Sequence, residues 1–150
     1  MSQRRQIFYE DVQEGMELPS MVKTPTIPQM FMYSAVTRNP HRIHYDREYA
    51  RTEGHPDALV HGPLQASMLC SLVTSWMGDE GFLKGFSYSN RGRAIPYEPL
   101  TYKGRVAKKY EVDGNYAVDL ELWEENAQGE VLMPATALVY LPSRKGKPAA

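Results

Sequence analysis

The sequence predicts an α+β domain: an antiparallel sheet wrapped around a central apolar helix. Three observations carry that expectation. The stretch from Gly62 to Gly78 is apolar on nearly every side, and such a helix belongs in a core. After Gly85 the pattern changes to alternation of apolar and polar residues, over stretches long enough for four strands. Helical patterns come first and strand patterns follow, the order of an α+β fold with an antiparallel sheet.

Taken in chain order, residues 7–22 read as an irregular or short extended opening with a turn at Glu14-Gly15. Thr26-Ile-Pro-Gln29 is a helix start: a threonine cap, an early proline, and glutamine three residues after the cap. That helix runs through Val36. Asp46 caps a second, short helix that ends at Gly54. The third helix opens at Gly62-Pro63 and closes at Gly78. Leu64, Met68, Leu72 and Met77 interleave there with Ala66, Leu69, Val73 and Trp76. Residues 86–95, 100–111, 116–124 and 131–141 read as strands, with turns at Asp113-Gly114 and Gln128-Gly129. There is no internal repeat or low-complexity linker. One domain over 1–142 is expected, followed by a basic, flexible tail over 143–150.

Composition narrows the function. The chain has 150 residues, 42% hydrophobic and 23% charged, ordinary globular values. A net charge of −1 gives no electrostatic case for nucleic acid as a main partner. Cys70 is the only cysteine, so neither an internal disulfide nor a CxxC zinc spacing exists. A reducing, cytoplasmic compartment is the natural expectation. The polar start Met1-Ser-Gln-Arg-Arg-Gln is not followed by an apolar region of signal-peptide type. No apolar run is long enough to cross a bilayer, so no membrane is expected as a partner.

Two segments concentrate the chemistry. Asn39-Pro-His-Arg-Ile-His44-Tyr-Asp46 packs an amide, two histidines and a carboxylate into eight residues. His61-Gly-Pro-Leu-Gln-Ala66 opens the apolar helix with a glycine. A histidine base beside a helix N-terminus suits work on a thioester carbonyl: the imidazole moves a proton while N-terminal amides stabilise developing negative charge. On residues alone, plainer readings stay open. Asn39 can be a helix-end cap, His44 a core or surface histidine, and Gly62 an ordinary glycine-proline helix start. Asp46 is best read as a cap, and His41 and His55 as loop residues. His61 is also a loop residue by position, although it precedes Gly62 and so adjoins the site. The four histidines fit no compact metal-ligand spacing, and no metal site is expected.

Tyr33-Ser-Ala-Val-Thr-Arg-Asn-Pro-His-Arg-Ile-His-Tyr-Asp46, followed by Leu59-Val-His-Gly-Pro-Leu-Gln-Ala66, resembles the MaoC-like hydratase/dehydratases. The opening Phe8-Tyr-Glu-Asp-Val-Gln-Glu-Gly15 resembles the start of that family, so the resemblance covers essentially the whole chain. Within the family, the type 2 hydroxyacyl-thioester dehydratase and mesaconyl-CoA hydratase branch is the most similar. The resemblance implies a single hotdog domain and reversible addition of water to a 2-enoyl thioester, giving an (R)-3-hydroxyacyl thioester. It assigns His44 as the catalytic histidine and Asn39 to the position where most members carry an aspartate. An amide cannot accept and return a proton as a carboxylate can, so Asn39 is expected to hold water and His44 to carry most of the proton transfer. The ordinary imidazole pKa of about 6.5 suits that task. Gly62 is implied as the oxyanion donor, with His61 beside it at the substrate.

The same resemblance implies no cofactor beyond the coenzyme A or phosphopantetheine of the substrate. It implies a homodimer or larger assembly; an acyl carrier protein and a heteromeric partner are the other candidates. Arg91, Arg93, Lys103, Arg105, Lys108 and Lys109 fall on the first two predicted strands, where they face either substrate phosphates or solvent; solvent is the better reading for most. Met30, Met32, Met68 and Met77 either line an adaptable acyl pocket or fill the core. Two rival functions stand beside hydration. One is a non-catalytic or half-site acyl-thioester-binding subunit, suggested by Asn39. The other is a hotdog thioesterase, which needs a carboxylate on the central helix; 64–77 contains none.

Overall fold

Helix α3 (Gly62–Met77) lies in the hollow of a curled five-stranded sheet. The structure, a computed structural model, describes residues 6–146. The strands are β1 (Met21–Lys23), β2 (Phe82–Tyr88), β3 (Leu100–Val112), β4 (Asn115–Glu125) and β5 (Val131–Leu141). All neighbours are antiparallel, in the order β1-β3-β4-β5-β2. Alternation explains the wrapping. In β3, Leu100, Tyr102, Gly104 and Val106 are buried while intervening residues are not. Leu120, Leu122, Ala135, Ala137 and Val139 do the same in β4 and β5. These side chains meet Leu69 and Val73 of α3, both fully buried, in one hydrophobic core. The fold is the hotdog fold that the sequence resemblance implied.

The helices start where their caps stand. Helix α1 (Ile27–Thr37) is capped by Thr26, whose Oγ1 accepts from Gln29 N at 3.3 Å. Helix α2 (Arg47–Thr52) is capped by Asp46, whose Oδ1 accepts from Tyr49 N at 3.0 Å. The β3–β4 hairpin turns through Asp113 and Gly114, both at positive φ (49° and 69°), the geometry of a two-residue hairpin that twists with its strands.

One expectation needs correction. The strand expected over 86–95 runs instead from Phe82 to Tyr88 and pairs with β5 on the far side of the β3–β4–β5 meander. Beyond Tyr88 the chain leaves the ladder: Arg91 N and Gly92 N both donate to Leu132 O, and a Cβ at Gly92 would collide with the Leu132 side chain. Arg91 and Arg93 therefore lie in an irregular connection, not on a strand. A short strand, β1, closes the opening that read as irregular or short extended, pairing Val22 with Thr101. Met30 and Met77 fill the core, one of the two readings given for the methionines, whereas Met32 is 67% exposed.

The basic residues of β3 are occupied at the sheet face. Lys103 pairs with Glu125 at 2.7 Å and Arg105 with Glu121 at 2.6 Å, each across to β4. Lys109 Nζ donates to the carbonyls of Tyr9 and Val12, both at 2.8 Å. Ser143 and Arg144, the first residues of the expected tail, bond to Glu10 and Asp11; residues 147–150 lie outside the described residues. Among the described residues, no helix is long and apolar enough to cross a membrane.

Candidate functional site

Three segments meet at the N-terminus of α3. The first is the end of α1 with the loop after it. Arg38 ends the helix at a left-handed φ of 54°, and Asn39 N then donates to Ser34 O at 2.9 Å. The second is a 3-10 turn, Arg42–His44, opened by His41, whose Nδ1 accepts from Ile43 N. The third is the segment before α3. Leu59 N donates to Ile43 O at 2.8 Å, and Val60 N to Ala94 O at 2.9 Å. Buried Gln65 reaches back from α3 to the Val60 carbonyl at 3.0 Å. These bonds clamp His44 beside the helix start.

His44 is half-buried, and its Nδ1 lies 2.8 Å from Leu59 O. A carbonyl oxygen only accepts, so Nδ1 carries the hydrogen and Nε2 keeps its lone pair. Burial holds the His44 pKa below the usual imidazole value; the bond to Leu59 opposes this, and His41 adds to it. At neutral pH the ring is a neutral base with a fixed tautomer.

His61, expected beside the substrate, is buried at 1% exposure. Its ring stacks on that of His44, with centroids 3.7 Å apart and planes at 18°. Tyr33 packs edge-on to it at 4.8 Å. Its Nε2 and Ser34 Oγ share a hydrogen bond of 2.8 Å, whereas Nδ1 is buried without a partner. Burial, helped by His44, pushes its pKa down to about 4. The side chain points back into the domain because Ser34, buried on the inner face of α1, offers the one polar anchor its Nε2 finds.

Gly62 is the first residue of α3, and no side chain caps the helix there. Its N–H finds no acceptor among the described residues, as expected at an uncapped helix start. Pro63 contributes no N–H, so Gly62 holds the one amide at this end of the helix before Leu64. A Cβ at Gly62 would lie 1.9 Å from Asn90 Nδ2, so only glycine lets the Asn90 side chain approach.

Asn39 is further out. Its Oδ1 accepts from His41 N at 3.2 Å, and no hydrogen bond joins it to His44 among the described residues. It lines an open depression of about 310 Å³ together with Ser34 and Tyr45, which neither His44 nor His61 lines. Asp46 caps α2 and pairs with Arg42 at 2.6 Å, as its capping reading required. Among the described residues, no three His, Cys, Asp or Glu side chains converge as a metal would need.

Sequence reasoning missed Ser34, Leu59 and Asn90. Ser34 and Leu59 lay inside the quoted segments, but their roles depend on partners 27 and 15 residues away in the chain. Asn90 carried no signal in a stretch that read as strand.

A hotdog sheet thus wraps a helix that begins directly after His61, whose ring stacks on that of His44. Residues 5–96, which include both motifs, match the model of the hydroxyacyl-thioester dehydratase type 2 family, and the chain belongs to that family. It is 39% identical over 77 residues to the mesaconyl-C(4)-CoA hydratase of Chloroflexus aurantiacus, covering 51% of this chain and 27% of that protein. It is 30% identical over 90 residues to the mitochondrial hydroxyacyl-thioester dehydratase type 2 of Saccharomyces cerevisiae, covering 58% and 31%. The matches thus span less than a third of these relatives' length. Among solved structures, the (R)-hydratase of A. caviae involved in PHA biosynthesis superposes with a TM-score of 0.81 at 21% identity, over 89% of this chain and 99% of that one.

Proposed function

We propose that the chain adds water reversibly to a 2-enoyl thioester of coenzyme A or an acyl carrier protein, giving an (R)-3-hydroxyacyl thioester. The observation that carries this reading is a neutral His44 of fixed tautomer beside the acceptor-free N–H of Gly62. In the hydration direction His44 Nε2 takes a proton from water as the water oxygen bonds to C3. The C2–C3 π electrons shift toward the thioester, whose oxygen gains negative charge against Gly62 N–H. The imidazolium then gives the proton to C2, and dehydration reverses these steps. His61 supports His44 from behind: a neutral ring can lie against an imidazolium, whereas a second cation would repel it. Coenzyme A or phosphopantetheine arrives as part of the substrate, and the chemistry calls for no cofactor.

The test is a spectrophotometric screen of 2-enoyl-CoAs from short to long. The isolated chain is expected to consume at least one of them. His44→Ala is expected to lose about 10²-fold or more in kcat without a change in melting. A wild-type chain that consumes none would overturn the reading, and so would a His44→Ala variant within a fewfold of wild type.

One observation favours a second reading. Asn39 Oδ1 is engaged by His41 N–H, a local backbone role that needs no catalysis. That suits an acyl-thioester-binding subunit that is silent alone or completes a site in a heteromer. Asn39→Asp separates the two. In a working hydratase it retains turnover and adds an acidic pH limb; in a silent subunit it creates activity that the native chain lacks. The thioesterase alternative gains no support, because α3 carries no carboxylate and Glu124, facing α3 from β4, is sealed from solvent.

A further inference from the structure

Two hydrogen-bond donors without an acceptor among the described residues lie at the start of α3. Gly62 N–H is one. The other is the side-chain amide of Asn90, in the connection between β2 and β3. Its Nδ2 is the atom nearest the Gly62 Cβ position at 1.9 Å, with Cγ at 2.9 Å and Oδ1 at 3.2 Å. The Asn90 side chain is exposed and makes no hydrogen bond to the described residues. Its backbone is nonetheless held on both sides: Ser89 N donates to Pro134 O at 3.0 Å, and Arg91 N to Leu132 O at 2.9 Å. The same connection is tied to the segment before α3 through Val60 N and Ala94 O. An amide oxygen turned toward the helix start would have capped it; the nitrogen stands there instead. His61, the residue at the cap position, has a buried Nδ1 without a partner among the described residues. With no acceptor from the described residues on either, both donors are open to an oxygen that enters from outside.

We infer that Asn90 Nδ2 is a second donor to the thioester oxygen, acting with Gly62 N–H. The inference rests on the hydration reading and adds a residue to it. It also gives Gly62 a second reason to be glycine: a methyl there displaces the Asn90 amide as well as crowding the ligand.

The experiment compares Asn90→Ala, Asn90→Asp, Gly62→Ala and the Gly62→Ala/Asn90→Ala pair on a 2-enoyl-CoA that the wild type consumes. Loss of an oxyanion donor lowers kcat by about 10²-fold. Asn90→Ala should show that loss with KM changed by less than about threefold and an unchanged melt, as expected for a contact made mainly in the transition state. Asn90→Asp should be slower still at pH 8, where its carboxylate repels the oxyanion, and should recover as pH falls and the acid regains a donor. A structural asparagine would not produce that limb. The double variant should be no slower than Gly62→Ala, because both changes remove the same donor. Asn90→Ala within about twofold of wild type, or an additive double variant, overturns the inference while leaving the hydratase reading intact. A wild type that consumes no enoyl thioester fails the hydratase reading instead. Calorimetry then decides for Asn90: equal binding of a saturated acyl-CoA by wild type and Asn90→Ala removes it, and weaker binding by the variant, with binding of free coenzyme A unchanged, retains it.

Discussion

At the scale of residues, two buried ionisable groups pull the domain's stability in opposite directions with pH. His61 has its pKa lowered to about 4 by burial, so the unfolded chain binds the proton more readily. Its contribution is fully present above about pH 6.5 and is lost as pH falls toward 4. Glu124 is fully buried, with neither oxygen in a well-formed hydrogen bond; the neighbouring Tyr102 hydroxyl donates to Met68 Sδ at 3.2 Å. Burial raises its pKa to about 7, and only the Tyr102 hydroxyl opposes this. The folded state therefore holds the Glu124 proton more tightly, and stability falls as pH rises from about 4.5 through 7. Between pH 4.5 and 6.5 the two slopes oppose each other. Glu124→Gln should raise stability at pH 8 by on the order of 1–3 kcal/mol and change little at pH 5. Denaturant titrations at the two pH values check this; an equal shift at both would show that Glu124 is not protonated in the folded state.

Elements depend on their caps, and α1 shows why this matters to the site. Its start is set by Thr26 and its end by the left-handed Arg38, so its register places Ser34 inward beneath His61. Thr26→Ala removes the acceptor for Gln29 N and should cost about 1 kcal/mol, lowering Tm by roughly 2–4 °C. If α1 frays only at its first turn, the His44 environment is untouched and kcat stays at the wild-type value. A large drop in kcat would mean that the Ser34–His61 anchor depends on the whole helix. Helix α3 is different: its N-terminus has no side-chain cap.

Across the whole molecule, the sheet ends in two unequal edges. β1 has three residues; β2 has seven and leaves Phe82 and Tyr88 59% and 41% exposed. An open edge of that length is a template for another strand. The register shift between Leu83 and Gly85, with Lys84 in it, blunts its first half and leaves 86–88 as the clean part. A second copy pairing along β2 would cover it with a two-fold interface. Light scattering at micromolar concentration is expected to give a dimer or larger assembly for the wild type and a smaller species for Tyr88→Lys. A fully active wild-type monomer would contradict this.

The amino-acid sequence alone determined what depends on neighbours in the chain. Thr26, Asp46 and Gly78 bound their helices, alternation marked β3, β4 and β5, and the family resemblance of the motifs around Asn39, His44 and Gly62 outlined the candidate site, because caps, periodicity and motifs act over a few residues. Tertiary structure decided what depends on distant partners. Alternation alone could not tell that Leu132 would draw Arg91 and Gly92 out of the ladder, so β2 was displaced by several residues. Nor could it show that His61 would turn inward to Ser34 and stack on His44, or that Glu124 would be sealed against Tyr102. Asn90 reaches Gly62 only because the β2–β3 connection crosses the start of α3, a juxtaposition of residues 28 apart that no local pattern encodes.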